Sequence, residues 1–443
     1  MFKKFTSAAL ACITALSLTA CSSGAASATA SATSKASATS ITLWTYPIGQ
    51  WGDEASVKKL TDAFTADTGI SVTVEYLTYK DGDDKVNTAL SANQAPDLIM
   101  EGPERLVANW GAKGYMADLS DIMDSTSSKE IYSSVLSACK NDKGAVYEYP
   151  LVMTAHCMAV NVDAFKAAGA DQYLDLKTHT WTTENFTKAM AAMASYYGGE
   201  TVGTVYCAGQ GGDQGTRALV NNLYGGEFTK ADHSGYTWDS DANVKALTAL
   251  YNMGGIKFDS SLVGGDEISL FYNETLKVAF CWNIAQQLDP NAAGTGTGKT
   301  INGQEIAFMS FPSETGTSKL AGGIWGFGVF DNKDESRTAA AKQFITWMAN
   351  SSHTEDAVKT AKYFPVRDSV QGTDISKMWS DNQTMQDYSV LMQYLGDYYQ
   401  VTKGWASART AWWNMLQEIG TGADIKATVT KYNTQANEAA AKE

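Results

Sequence analysis

Apolar residues change period along the chain in a regular order. Ile41 to Trp44 is a short apolar run that predicts a strand. Val57, Leu60 and Phe64 then recur at helical spacing, so residues 53–68 predict an amphipathic helix, with Asp53 able to cap it and Gly69 to stop it. Ile70, Val72, Val74 and Tyr76 alternate, which predicts a second strand. A polar-faced helix follows over 82–92, and Asp97 to Met100, after Pro96, reads as a short buried strand. The order strand, helix, strand, helix, strand implies a parallel sheet with right-handed crossovers. Farther on, Ala341, Phe344, Ile345 and Met348 mark one helix face, and Ile425, Val429, Tyr432 and Ala436 mark another. No short repeat of the solenoid kind is present.

The first residues follow a different logic. Lys3 and Lys4 precede a short apolar stretch from Ala8 to Leu18, which has the build of a secretory signal and is too short to span a bilayer. Leu18-Thr19-Ala20-Cys21 resembles a bacterial lipobox, in which the Cys thiol is acylated and the chain is cut before it. Residues 1–20 are therefore expected to be a lipoprotein signal peptide and Cys21 the lipidation site. Residues 22–40 hold Ser, Ala, Thr, Gly and one Lys, a composition that buries no core, so 21–40 is expected to be a flexible linker.

Composition narrows the classes. A chain of 443 residues has room for two large domains or about three ordinary ones. Its 44% hydrophobic and 11% aromatic content excludes a disordered or fibrous chain. The formal net charge of -14 argues against nucleic acid, whose phosphates need a basic patch. Beyond the signal and Cys21, the cysteines are Cys139, Cys157, Cys207 and Cys281; none forms a CxxC pair, and free thiols or one bridge both fit. His156, next to Cys157, reads as a hydrogen-bonded buried or cleft histidine rather than a metal ligand.

Catalytic signatures are missing. There is no GxSxG elbow, and the glycine-rich run from Gly209 to Thr216 lacks the lysine of a phosphate loop. Glu101 and Glu104 could be paired as in a glycosidase, but their spacing does not place them on two sides of a bond. The distinctive feature is aromatic: 12 Trp, 21 Tyr and 15 Phe, many beside turns rather than in helix stripes. Aromatic faces stack on the apolar C–H face of a pyranose, while charged side chains bond its hydroxyls. Trp347 belongs to a helix stripe and is expected in the core, as is Trp413, and Trp110 and Trp379 are expected to be packing residues.

An ordered set of short motifs carries a resemblance. It comprises Ile41 to Trp44 with Phe64 to Ile70 and Val72 to Val74; Ala95-Pro96-Asp97-Leu98-Ile99; Gly114 to Leu119; and Tyr149-Pro150 with Asn161 and Phe165. It continues through Gly225 to Phe228, Lys277 to Phe280 (Leu276 standing where a glycine is usual), Gly322 to Trp325, Phe364 to Arg367, and Trp405 with Arg409-Thr410-Ala411. Over nearly all of 41–443 this resembles the extracellular solute-binding proteins of carbohydrate ABC transporters, the maltose-binding-protein-like group. The resemblance implies an α/β, two-lobe periplasmic-binding-protein type II fold with a ligand cleft between the lobes. It places 41–152 and 326–378 in lobe 1, and 153–325 and 379–443 in lobe 2.

It also implies a non-enzymatic function. A monomer, lipid-anchored on the extracellular face of the cytoplasmic membrane, would bind a di- or oligosaccharide and deliver it to the permease subunits, with no cofactor, metal or nucleic acid. The implied binding residues begin with Tyr46, for polar contact or stacking, with Trp51 nearby. Glu101 would accept sugar hydroxyls, with Arg105 beside it. His156 would face the cleft, and Asp213 and Gln214 would lie in a ligand loop. Trp282 and Asn283 fall near a stacking position, and Trp325 lies on the return crossing. Arg367 would donate to the sugar or brace its lobe. Trp405 would be the main stacking platform and Trp412 a lesser one. Two other readings stay open: a secreted glycan-active hydrolase and a cell-surface glycan-binding adhesin.

Overall fold

The computed structural model describes residues 38–123, 127–209, 213–288, 296–375 and 377–442. Cys21, the signal segment and most of the linker lie outside the described residues, as do residues 210–212 of the glycine-rich run. The opening elements form where the periodicity puts them. Strand β1 (Ser40–Thr45) leads to a helix over Glu54–Thr68. Asp53 caps this helix by accepting the Ser56 N–H at 2.8 Å, and Gly69 ends it with a φ of 76°. Then come β2 (Ser71–Tyr76), a helix over Gly82–Ser91 and β3 (Leu98–Glu101). β1 pairs in parallel with both β2 and β3, as the β-α-β-α-β pattern implies.

The sheet becomes mixed when later strands enter it. β4 (Tyr149–Ala155) leads into the second half through β5 (Cys157–Asn161), β6 (Gly203–Tyr206), β7 (Ile256–Asp259), β8 (Val278–Trp282) and β9 (Ile306–Met309). The chain returns through β10 (Gly322–Val329) and β11 (Phe364–Pro365). The first sheet has the order β11-β4-β10-β3-β1-β2, with β10 antiparallel to both β3 and β4. The second half holds the antiparallel sheet β8-β5-β9 and the parallel pair β6-β7. Between β4 and β5 stands His156 alone: Ala155 pairs with Gly322 of the first sheet and Cys157 with Trp282 of the second. The boundaries expected at 152/153 and 325/326 thus fall inside β4 and β10, the strands that lead between the halves. The C-terminal helices, Trp405–Gly420 and Ile425–Ala440, pack on β7 and on the helix over Asp241–Tyr251.

Two local devices tie this frame together. Asp97 is buried at the start of β3, where its carboxylate accepts the Thr42 N–H at 2.6 Å and a two-pronged contact from Arg337 at 2.7 and 2.5 Å. It thereby joins β1, β3 and the helix over Glu335–Asn350. The second device is the glycine content of β10. A Cβ on Gly326 would lie 2.1 Å from the Tyr149 carbonyl oxygen, so only glycine lets β10 approach β4 here. Ala341, Phe344, Ile345 and Met348 are buried as expected, as is Trp110, whereas Trp347, Trp379 and Trp413 are half-buried. Cys139, Cys157, Cys207 and Cys281 are all free thiols. Among the described residues no helix is long and apolar enough to cross a membrane.

Gly326→Ala is expected to cost about 1–3 kcal/mol of stability, because the clash is with backbone and cannot relax through a rotamer. Urea denaturation checks it; an unchanged midpoint would mean that β4 and β10 separate freely.

Candidate functional site

A cavity of about 820 Å³ lies between the two sheets. Glu101 at the end of β3 and Arg105, four residues on, form its first wall. The Arg105 guanidinium is an ion hub. Its Nη1 lies 2.7 Å from Glu101 Oε1 and 3.6 Å from Glu104 Oε1, and its Nε lies 2.7 Å from Asp83 Oδ1. Three carboxylates thus share one guanidinium. Burial pushes the Glu101 carboxyl up, the Arg105 guanidinium 2.7 Å away opposes this, and the Glu104 and Asp83 charges add to it.

Tyr46 and Trp51, both implied by the resemblance, lie behind this wall and do not line the cavity. Tyr46 is fully buried: its hydroxyl donates to Asp83 Oδ1 at 2.5 Å and its ring sits 5.0 Å from the Arg105 guanidinium. Tyr79, stacked on Tyr46 at 5.1 Å, lines the cavity in its place. Trp51 donates to the Ala357 carbonyl at 3.2 Å and packs on Phe327, inside the core.

The second wall carries the opposite charge. Asp213, first residue of the helix over Asp213–Leu223, is buried between Arg217 and Arg409. Arg409 grips it with Nε at 3.0 Å and Nη2 at 2.5 Å. Burial alone would raise the Asp213 carboxyl; the two guanidinium groups hold it far below the usual carboxylate range. Asp213 does not line the cavity; it holds Arg217 and Arg409, which do. Arg217 in turn lies over the Trp405 ring, 5.0 Å from its centroid. Trp405 borders the cavity but is 3% exposed, so its ring is not an open platform.

Between the walls stand the crossing residues. His156 borders the cavity with Gln214, whose Nε2 is 3.4 Å from His156 Nδ1. Burial and the Arg217 charge hold His156 at about 4, so it is neutral at pH 7. Trp325 lies edge-on to His156 and stacks on Tyr363 at 4.9 Å, with both rings at the cavity. Its ring lies over Gly323, where a Cβ would sit 1.9 Å from it. Trp282, the last residue of β8, and Asn283 after it stand in the cavity wall. Arg367 and Trp412 are elsewhere. Arg367 donates to Asn350 Oδ1 at 3.0 Å and lies 3.6 Å from Glu130, the bracing role. Trp412 donates to Thr216 Oγ1 at 3.0 Å inside an aromatic cluster with Phe228 and Trp238.

Sequence reasoning missed Tyr79, Arg217, Tyr363, Tyr398 and Gln400, and quoted Arg409 without giving it a role. Two of these had a signal: Arg217 is one helical turn from Asp213, and Arg409 one turn from Trp405. Tyr398 and Gln400 lie at a three-residue 3-10 turn, Tyr399–Val401, too short for a period to be read.

The model of one protein family, the bacterial extracellular solute-binding proteins, matches residues 59–387. The chain belongs to this family. Its members are solute-binding proteins, not enzymes, which removes the hydrolase reading. No curated protein sequence matches the chain. The fold is similar to that of the GacH receptor of Streptomyces glaucescens, solved unliganded and with acarbose, with a TM-score of 0.72, 14% identity, and coverage of 92% of this chain and 99% of that one. An ABC substrate-binding protein of Listeria monocytogenes, in complex with cycloalternan, gives 0.72 at 16% identity over 90% and 98%. UgpB of Mycobacterium tuberculosis, in complex with glycerophosphocholine, gives 0.69 at 17% identity over 91% and 98%. These likenesses establish the type II fold of periplasmic binding proteins for this solute-binding protein.

Asp213→Asn is expected to destabilise the protein by about 3–5 kcal/mol at pH 7, because two buried guanidinium groups lose their counter-charge. The depressed carboxyl contributes its stability above the unfolded value of 3.8 and loses it as pH falls from there toward the folded value. The gap between the wild-type and variant proteins in urea denaturation should therefore narrow below that pH; a constant gap would refute the linkage.

Proposed function

We propose that this solute-binding protein is the lipid-anchored receptor of an ABC sugar importer, taking a di- or oligosaccharide between its lobes and presenting it to the permease. One observation carries the reading: aromatic rings alternate with fixed charges around a single cavity. Tyr79, Trp282, Trp325, Tyr363 and Tyr398 supply the rings, with Trp405 at the border. Glu101, Arg105, Arg217 and Arg409 supply charged hydrogen-bonding groups from opposite walls. Apolar ring faces suit the C–H faces of a pyranose and the charged groups suit its hydroxyls. A volume of about 820 Å³ gives room for more than one sugar ring. The solved relatives with acarbose and cycloalternan add support by analogy.

The lobes, proposed as 41–152 with 326–378 and 153–325 with 379–443, would hinge on β4, β10 and the segment after residue 378. Ligand would favour the closed state through its contacts with both walls. Arg367, Tyr46, Trp51, Asp213 and Trp412 act in this scheme as supports and not as contacts. The exported chain would be held by acyl groups on Cys21 and a linker that ends at β1.

A thermal-shift panel of maltose, maltotriose, cellotriose and raffinose tests the ligand class, since a ligand that binds only the native state raises its melting temperature. A positive sugar should also shrink the radius of gyration in small-angle scattering. No shift with any sugar would sink the sugar reading, and a shift without compaction would favour an adhesin. For the anchor, Cys21→Ser should abolish palmitate labelling and release the protein to the medium; unchanged membrane retention would exclude Cys21 as the attachment point.

A further inference from the structure

Buried polar atoms in folded proteins nearly always have partners, so each exception needs a reason. Among the described residues, three exceptions fall on side chains that border the cavity between the walls. They are Glu101 Oε2, Gln400 Oε1 and Trp405 Nε1, each buried without a hydrogen-bond partner. The residues are 1%, 6% and 3% exposed. Each is also held in place by a different contact. Glu101 uses its other oxygen, Oε1, for Arg105 at 2.7 Å. Gln400 donates its Nε2 to the Gly322 carbonyl at 3.2 Å, which settles the amide orientation and leaves Oε1 as the free acceptor. Trp405 is pinned by the guanidinium over its ring and by the edges of Phe228 and Tyr399, both 5.9 Å away.

We propose that Gln400 joins Glu101 and Trp405 as a ligand-contact residue, the three presenting their unpaired polar atoms to hydroxyls of the ligand. This rests on the sugar-receptor reading and narrows it. The ligand carries an unsubstituted hydroxyl where it meets Gln400, because a methyl ether has no hydrogen to give to an amide oxygen. The set is divided between the halves: Glu101 ends β3 of the first sheet, while Trp405 opens the helix that packs on β7. A ligand that satisfies all three atoms therefore ties the halves together. Trp405 also changes role. Its indole N–H serves the ligand, and its ring face serves Arg217. A site built to bond a hydroxyl discriminates strongly against an analogue that lacks it, since the site's own groups then stay unpaired.

The test uses the full-length protein, Trp405→Phe and Gln400→Met, with whichever of maltotriose, cellotriose or raffinose shifts the wild-type melting temperature most. Trp405→Phe removes the N–H together with part of a buried ring, so a modest fall in the ligand-free melting temperature is expected from the space it leaves. Calorimetric affinity for that sugar should fall at least about ten-fold in both variants, and its per-O-methylated form should not bind. In protein labelled with ¹⁵N-tryptophan, the Trp405 indole signal, assigned by its absence from Trp405→Phe, should move on titration with the sugar. Affinities within two-fold of wild type, or an unmoved indole signal, overturn the assignment while leaving the sugar reading intact. No thermal shift for wild type with any of the sugars removes the sugar reading and this assignment together.

Discussion

Two buried ion clusters face each other across the cavity, and neither is neutral. Arg105 serves Asp83, Glu101 and Glu104, a surplus of negative charge. Asp213 serves Arg217 and Arg409, a surplus of positive charge. Removing such groups from water is costly, and their attraction offsets the cost only with close geometry and full hydrogen bonding. The rings around the site are arranged by that requirement. Tyr46 and Tyr79 stack beneath Arg105, while Trp405, Phe228 and Tyr399 enclose Arg217. The charge of Arg409 acts across the gap on both Asp83 and Glu101. The walls therefore attract each other, and each fixes its own side chains before anything binds.

The backbone between the walls meets a different constraint. β10 must pass close to β4, carry Trp325 at the cavity and remain in the first sheet. Its glycines permit all three: Gly326 admits the Tyr149 carbonyl and Gly323 leaves space for the Trp325 ring. Trp325 then stacks on Tyr363 and meets His156 edge-on. His156 stays neutral among these groups, because burial and the nearby Arg217 both oppose its protonation. The crossing is thus polar enough to hydrogen-bond and carries no charge of its own, which leaves the two clusters to set the field.

Legibility in the sequence followed the physics of each segment. The first three strands and two helices were readable because their burial is one-sided, so apolar residues keep a period of about two or 3.6. β5 was not readable: all five of its residues are buried, and alternation vanishes when both faces are covered. The site was legible where a residue ends a strand, as Glu101 and Trp282 do. It was not legible where depth decides. Trp405 and Trp412 lie seven residues apart, on one helix face. Two turns carry Trp412 roughly 10 Å farther along the axis, into the cluster with Phe228 and Trp238. Tyr46 failed in the same way, since the Asp83–Arg105 pair drew its hydroxyl inward.

What kind of ligand such a cavity can hold follows from its surplus groups. Water could satisfy donors and acceptors alike, but it would leave the six rings bordering the cavity wet. A fully apolar molecule would cover the rings and leave Glu101 Oε2, Gln400 Oε1 and Trp405 Nε1 without partners, at a cost of about 1–3 kcal/mol for each. A hydroxyl both donates and accepts, so a polyol can give hydrogens to the carboxylate wall and take them from the guanidinium wall. A cyclic polyol adds a C–H face for the rings. The demand for both surfaces in one molecule, set by ion clusters that the fold has already built, is the physical content of the carbohydrate reading.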